Sequence, residues 1–176
     1  IFRQAYQVGF FSVLSVVGGH PFQNWRVQVD KRLVASLMCF QTPPSCSTTY
    51  ISCPADPTKT LGIKSPFLVL ILKTEMFSFE VQVRNVRRWL KWSTSQKKNK
   101  VDHFRATFIL DMGEFWGKEI FNLAELTSSS FGSRYVETLE GIINANCWIR
   151  RVYFTDREYS EDEIPNDFKL PLPQRA

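Results

Sequence analysis

The chain has 176 residues, 44% of them hydrophobic and 15 of them Phe, which supplies enough apolar side chain for a core and argues against a disordered polymer. No apolar run approaches the roughly 20 residues that span a bilayer, and the start, Ile1-Phe2-Arg3-Gln4, lacks the basic-then-apolar pattern of a signal peptide. The net charge is +5 but divided: residues 84–105 hold eight basic side chains against Asp102, and residues 155–167 hold six acids against Arg157.

In chain order, residues 8–17 read as a strand and residues 18–21, Gly-Gly-His-Pro, as a turn. Residues 22–29 continue as a strand with Trp25, Val27 and Val29 on one face. A polar connection at 30–32 leads to a strand over 33–40, which residues 42–45 break. Residues 47–53, rich in Thr, Tyr and Ile, form the next strand. A loop with Pro54, Pro57, Gly62 and Pro66 follows. Each proline fixes its own φ and biases the residue before it, so the loop is expected to be ordered. It can hold Asp56, Lys59 and Lys64 in fixed positions.

Residues 67–72 are the most apolar run. Residues 76–83 alternate cleanly, with Phe77, Phe79, Val81 and Val83 on one face and Ser78, Glu80 and Gln82 on the other. Residues 85–92 read as a strand with Val86, Arg88, Leu90 and Trp92 on one side, followed by a Lys-rich loop over 93–100. Residues 103–110 alternate again, with Phe104, Ala106, Phe108 and Leu110 together. A short strand at 119–123 precedes a helix over 123–131, which Gly132 is placed to end. Strands are expected over 135–143 and 147–154. Ser160 and Glu163 have capping-box spacing, which predicts a helical turn. Residues 169–173 read as an extended tail protecting an edge.

About ten short strands with one or two short helices define an all-β chain, read as one domain over residues 1–176 and as a β-sandwich of jelly-roll type.

Catalytic signals are poor. There is no Gly-x-Ser-x-Gly and no His-Glu-x-x-His. Residues 62–65 lack the upstream glycine of a phosphate loop. The acids after Thr155 lack the glycine and spacing of a calcium loop. Cys39, Cys46 and Cys53 are seven apart and include no close pair, so zinc is not expected. With Cys147 they read as free thiols of a reducing, intracellular protein without metal or cofactor.

Arg87, Arg88, Lys91, Lys97, Lys98 and Lys100 interleave with Trp89 and Trp92. Cations with aromatics serve single-strand binders, although tryptophan beside lysine is as often part of a core. An acidic protein surface competes for the same charges. Trp89, Trp92 and Trp116 would suit a glycan site only if they stood exposed in a row. Arg150 and Arg151 are adjacent in a strand, so one should face the core side and the other outward; Arg151 is taken as the outward one. Glu161, Asp162 and Glu163 head the acidic band.

Several long words carry a resemblance. Residues 47–69 (Ser-Thr-Thr-Tyr-Ile-Ser-Cys-Pro-Ala-Asp-Pro-Thr-Lys-Thr-Leu-Gly-Ile-Lys-Ser-Pro-Phe-Leu-Val), 79–83 (Phe-Glu-Val-Gln-Val) and 121–123 (Phe-Asn-Leu) are similar to the cilia- and flagella-associated protein 20 family. So are residues 2–10, 135–139, 144–154, 159–165 and 168–170. The chain departs from the family pattern at 18–44, 89–105 and 111–118, as a divergent paralogue would.

The resemblance implies a jelly-roll sandwich similar to carbohydrate-binding modules and a non-enzymatic role in the ciliary axoneme. It implies a place at the inner junction of doublet microtubules, with contacts to α/β-tubulin and to neighbours such as the parkin co-regulated family. No membrane partner is implied. The candidate interface is then the loop residues Asp56, Lys59 and Lys64, the basic band, Arg151 and the acidic band.

Overall fold

The structure, a computed structural model, describes residues 1–15, 23–28, 49–74, 76–84, 86–113 and 115–170. The turn at 18–21, the strand over 33–40, the break at 42–45, Cys39 and Cys46 lie outside the described residues. So do residues 47–48 and 171–173.

Eleven strands are described: β1 (Phe10–Ser15), β2 (Arg26–Gln28), β3 (Tyr50–Cys53), β4 (Phe67–Thr74), β5 (Ser78–Arg84), β6 (Arg88–Ser93), β7 (Lys100–Val101), β8 (Arg105–Ile109), β9 (Gly117–Asn122), β10 (Glu137–Asn144) and β11 (Cys147–Thr155). They form a four-stranded sheet, β1-β11-β4-β9, and a seven-stranded sheet, β2-β3-β10-β5-β6-β8-β7. Their inner faces supply one core, as expected of a β-sandwich. Every described pair is antiparallel except β6 with β8, which run parallel.

The core follows from strand alternation. Phe77, Phe79, Val81 and Val83 all point inward, at 4% exposure or less. Phe79 stacks on Trp92 of β6, with centroids 4.6 Å apart and planes 9° from parallel. It also meets Phe121 of β9 at 5.1 Å, which joins the two sheets.

The apolar run in β4 does not alternate because both its faces are covered. Leu68, Leu70 and Leu72 enter the main core. Val69 and Ile71, with Tyr153 of β11, form a second cluster under Phe10, Phe168 and Leu170. The segment after β11 therefore lies across the outer face of the four-stranded sheet. At residues 169–170 the expected edge guard is instead a cover for a face.

The helix α1 spans Leu123–Phe131, as periodicity predicts. The Asn122 side chain caps it by accepting from the Glu125 N–H at 3.1 Å. Gly132, at φ +63°, ends it in the left-handed conformation that favours glycine.

Three expectations are corrected. Trp25 is buried while Val27 is exposed, so they do not share a buried face. Val86 and Phe104 lie outside their strands and are exposed, because turns take over there. The Phe104 turn is held by Asp102 Oδ1, which accepts from the N–H groups of Phe104 and Arg105. Residues 160–163 form a turn rather than a helix. Glu163 Oε2 does reach back to the Ser160 N–H at 2.9 Å, but Pro165 disfavours helix at Ile164. The short helix comes later, as 3-10 turns over Asn166–Phe168.

Candidate interaction surface

The proline loop is ordered, but for reasons the prolines only begin. Asp56 Oδ1 accepts from the Thr58 N–H at 2.9 Å and from the Thr58 hydroxyl at 2.7 Å. Those bonds hold the Asp56 carboxyl below its usual range. Lys59 Nζ lies 3.7 Å from Asp56 Oδ2. Both side chains therefore have a partner inside the loop.

The second half of the loop is sandwiched. Against β10, the Leu61 N–H donates to the Leu139 carbonyl and the Thr138 N–H to the Ile63 carbonyl, both at 2.7 Å. The buried Tyr135 hydroxyl lies 3.0 Å from the Ile63 carbonyl oxygen and 3.2 Å from that of Ser65. On the other side lie residues 1–8. Gln7 donates to the Phe2 and Gly62 carbonyls and accepts from the Lys64 N–H at 2.7 Å. Gly62 sits at φ +70°, and a Cβ there would lie 2.8 Å from Arg3 Cβ. What stays open is the exposed Lys64, whose ammonium has no ion partner among the described residues.

Arg3 continues this seam to Glu137, whose side chain is 3% exposed. Arg3 Nη2 is 2.7 Å and Arg84 Nη1 2.9 Å from Glu137 Oε1. Burial pushes this carboxyl up, but the hydrogen bonds from Arg84 and Arg3 outweigh that and keep it below the usual range. Sequence reading missed this site. Its signal was one acid among the buried positions Tyr135, Thr138 and Leu139.

The basic band divides into engaged and open cations. Arg84 is held by Glu137, and Arg105 Nη2 lies 3.4 Å from Glu80 Oε2. Arg88 donates to Ser133 Oγ at 2.8 Å and stacks 4.7 Å from the Phe131 ring centroid. It braces the helix end. Arg87, Lys97, Lys98 and Lys100 are exposed and Lys91 is half-buried; none has an ion pair among the described residues. The last three lysines lie in the β6–β7 connection and on β7, at one edge of the larger sheet.

The tryptophans do not join them. Trp92 is buried, Trp89 is half-buried on the same strand, and Trp116 lies beside the other sheet. Among the described residues these three tryptophans form no exposed row for a glycan or for stacked bases.

The acidic band is partly closed on itself. Glu161 pairs with Lys118. Glu163 pairs with Arg157 at 2.7 Å, while Asp162 is exposed. Hydrogen bonds from Arg157 first, and then from the Ser160 N–H, lower the Glu163 carboxyl to about 2. A depressed carboxylate contributes above its unfolded value and loses that contribution as pH falls through the folded one. A carboxyl-detected NMR titration should therefore place the Glu163 midpoint near 2; a midpoint in the ordinary Glu range of about 4.3 would contradict the pairing.

Arg151 is not on an open surface. A bulge between Ile149 and Arg151 shifts the alternation of β11, so Ile149, Val152 and Phe154 enter the core. Arg151 is 7% exposed, with its guanidinium 4.2 Å from the Phe168 ring centroid and Nη1 3.3 Å from Ser12 Oγ. The segment after β11 covers it. Among the described cysteines, Cys53 and Cys147 are buried, and burial pushes the Cys53 thiol up to about 12. The described residues contain no cluster of three metal-ligating side chains.

Comparison with known proteins identifies the family. The CFA20 domain matches residues 1–172. Cilia- and flagella-associated protein 20 of Chlamydomonas reinhardtii is 46% identical over 98% of this chain and 98% of its own length. The protein of the same name from Caenorhabditis elegans is 43% identical over 100% of this chain and 93% of its own length. That of Paramecium tetraurelia is 42% identical over 98% of this chain and 97% of its own. With matches that run nearly end to end, the chain belongs to the CFA20 domain family of cilia- and flagella-associated proteins.

Proposed function

We propose that this protein is a structural, non-catalytic component of doublet microtubules in cilia and flagella. It sits at the inner junction and bridges α/β-tubulin to neighbouring proteins such as those of the parkin co-regulated family. Family membership supports the ciliary role. The observation that carries the bridging is the set of open cations: Lys91 on β6, Arg87 in the turn before it, and Lys97, Lys98 and Lys100 at the β7 edge of the larger sheet. Tubulin surfaces are acidic, and weak contacts repeated along a filament add up. The partly open acids around Asp162 suit a basic neighbour.

Reversing Lys97, Lys98 and Lys100 to Glu should reduce co-sedimentation with microtubules at least tenfold at low salt, with the fold unchanged by circular dichroism. Undiminished co-sedimentation would reject the tubulin contact. Competition by an oligonucleotide for the same surface would assign the lysines to nucleic acid instead.

A further inference from the structure

Beside the lysine loop, the outer face of the seven-stranded sheet contains a cleft of about 380 Å³, within the size range of small-ligand sites. Strand register builds it. Ser78 pairs with Ser93 and Glu80 with Lys91 across β5 and β6. Since Phe77, Phe79 and Val81 point into the core, Ser78 and Glu80 point outward. Asn144 of β10 joins from the other side, and Gln96 closes the rim. Ser78 and Ser93 are both 7% exposed and form the floor.

The polar groups leave hydrogen-bonding capacity unused. Ser78 Oγ accepts from Asn144 Nδ2 at 3.0 Å, which leaves the serine O–H able to donate and the Asn144 carbonyl able to accept. Gln96 Nε2 donates to the Lys98 carbonyl, leaving the Gln96 carbonyl oxygen as an acceptor. Lys91 has no ion pair among the described residues, because Glu80 turns to Arg105 instead. Glu80 Oε2 is buried and accepts no hydrogen bond among the described residues. Glu80, Arg105 and Lys91 together leave one positive charge, and Lys97 and Lys98 follow the rim residue Gln96 in the chain. The cleft therefore offers an ammonium and a hydroxyl donor beside several acceptors. A free anion would use only the donors. An extended peptide uses both, through its side-chain carboxylates and its backbone N–H groups.

We propose that this cleft binds an extended acidic peptide. One carboxylate of the peptide meets Lys91 and the Ser78 hydroxyl. Its backbone N–H groups meet the side-chain carbonyl acceptors of Asn144 and Gln96, and its next acids lie along Lys97, Lys98 and Lys100. The assignment rests on the acidic-partner reading of the basic edge and specifies where on the sheet that partner is anchored.

Fluorescence anisotropy with a labelled oligoglutamate peptide, and with an oligothymidylate of equal charge, tests it at low ionic strength. Lys91→Gln should weaken the peptide about tenfold, the loss of a charge-assisted hydrogen bond. Lys91→Arg should retain most of the affinity. Gln substitutions at Lys97, Lys98 and Lys100 should reduce the salt dependence. Unchanged peptide affinity in Lys91→Gln, with loss in the loop variant, overturns the cleft and leaves the microtubule reading standing. No binding of the peptide by the unmodified protein also overturns the cleft, while co-sedimentation decides the microtubule reading separately. Tighter binding of oligothymidylate than of peptide overturns the choice of a peptide.

Discussion

Phe79→Ala is expected to destabilise the protein by about 4 kcal/mol and to lower its melting temperature by about 12 °C. The ring is 1% exposed and contacts Trp92 and Phe121 at centroid distances of 4.6 and 5.1 Å. Phe77 is a third neighbour at 5.9 Å. These rings come from both sheets, so removing the central one opens a cavity where the two layers meet. Surrounding aromatics are too rigid to collapse into it fully, and the cavity cost adds to the lost burial. Phe79→Leu should cost much less. As a control, Phe115→Ala should stay within about 0.5 kcal/mol, because Phe115 is 83% exposed. Equilibrium urea unfolding gives all three values. A Phe79→Ala cost near that of Phe115→Ala would refute the aromatic junction between the sheets.

The second large effect is at Glu137. Replacing both Arg3 and Arg84 by Ala leaves a carboxylate with a 3% exposed side chain and no cation beside it. The expected cost is about 3–5 kcal/mol at neutral pH. Each single replacement should cost far less, since the remaining guanidinium still pairs. The pH dependence reverses sign between the two proteins. In the unmodified protein the carboxyl is held low. Its contribution is present above the unfolded value and fades as pH falls towards the folded one. In the double variant only burial remains, which pushes the carboxyl up, so the penalty appears as pH rises and fades in acid. The stability gap between the proteins should therefore narrow on going from neutral pH to about 4. A gap independent of pH would show that the arginines act through packing alone.

How far the sequence foretold this depends on whether a feature is local. The alternation in β5 and the Asn122–Gly132 frame of α1 arise within a few residues, and both elements form where expected. The lysine loop was legible as a run of charge. Which charges stay open was not, because Arg84, Arg88 and Arg105 find partners on α1, β10 and β5 or just beyond them. Arg151 does point away from the main core, as expected, but the segment around Phe168 covers the face it lies on, which no short-range pattern announces. The docking of residues 1–8 on the proline loop joins positions 55 or more residues apart, and no short-range pattern encodes it. The parallel β6–β8 pair was likewise invisible, since strand direction is not written in hydrophobic period.

The cover over the four-stranded sheet has a consequence for assembly. Val69, Ile71 and Tyr153 are sealed beneath Phe10, Phe168 and Leu170, so the two broad sides of the sandwich are not equivalent. A body with two similar sides can be added to a periodic filament either way round. This one offers its larger sheet, with its cations concentrated towards one edge, and a closed back. Each copy added to a lattice through that sheet would take the same orientation as the last, giving the row a polarity set within the single chain.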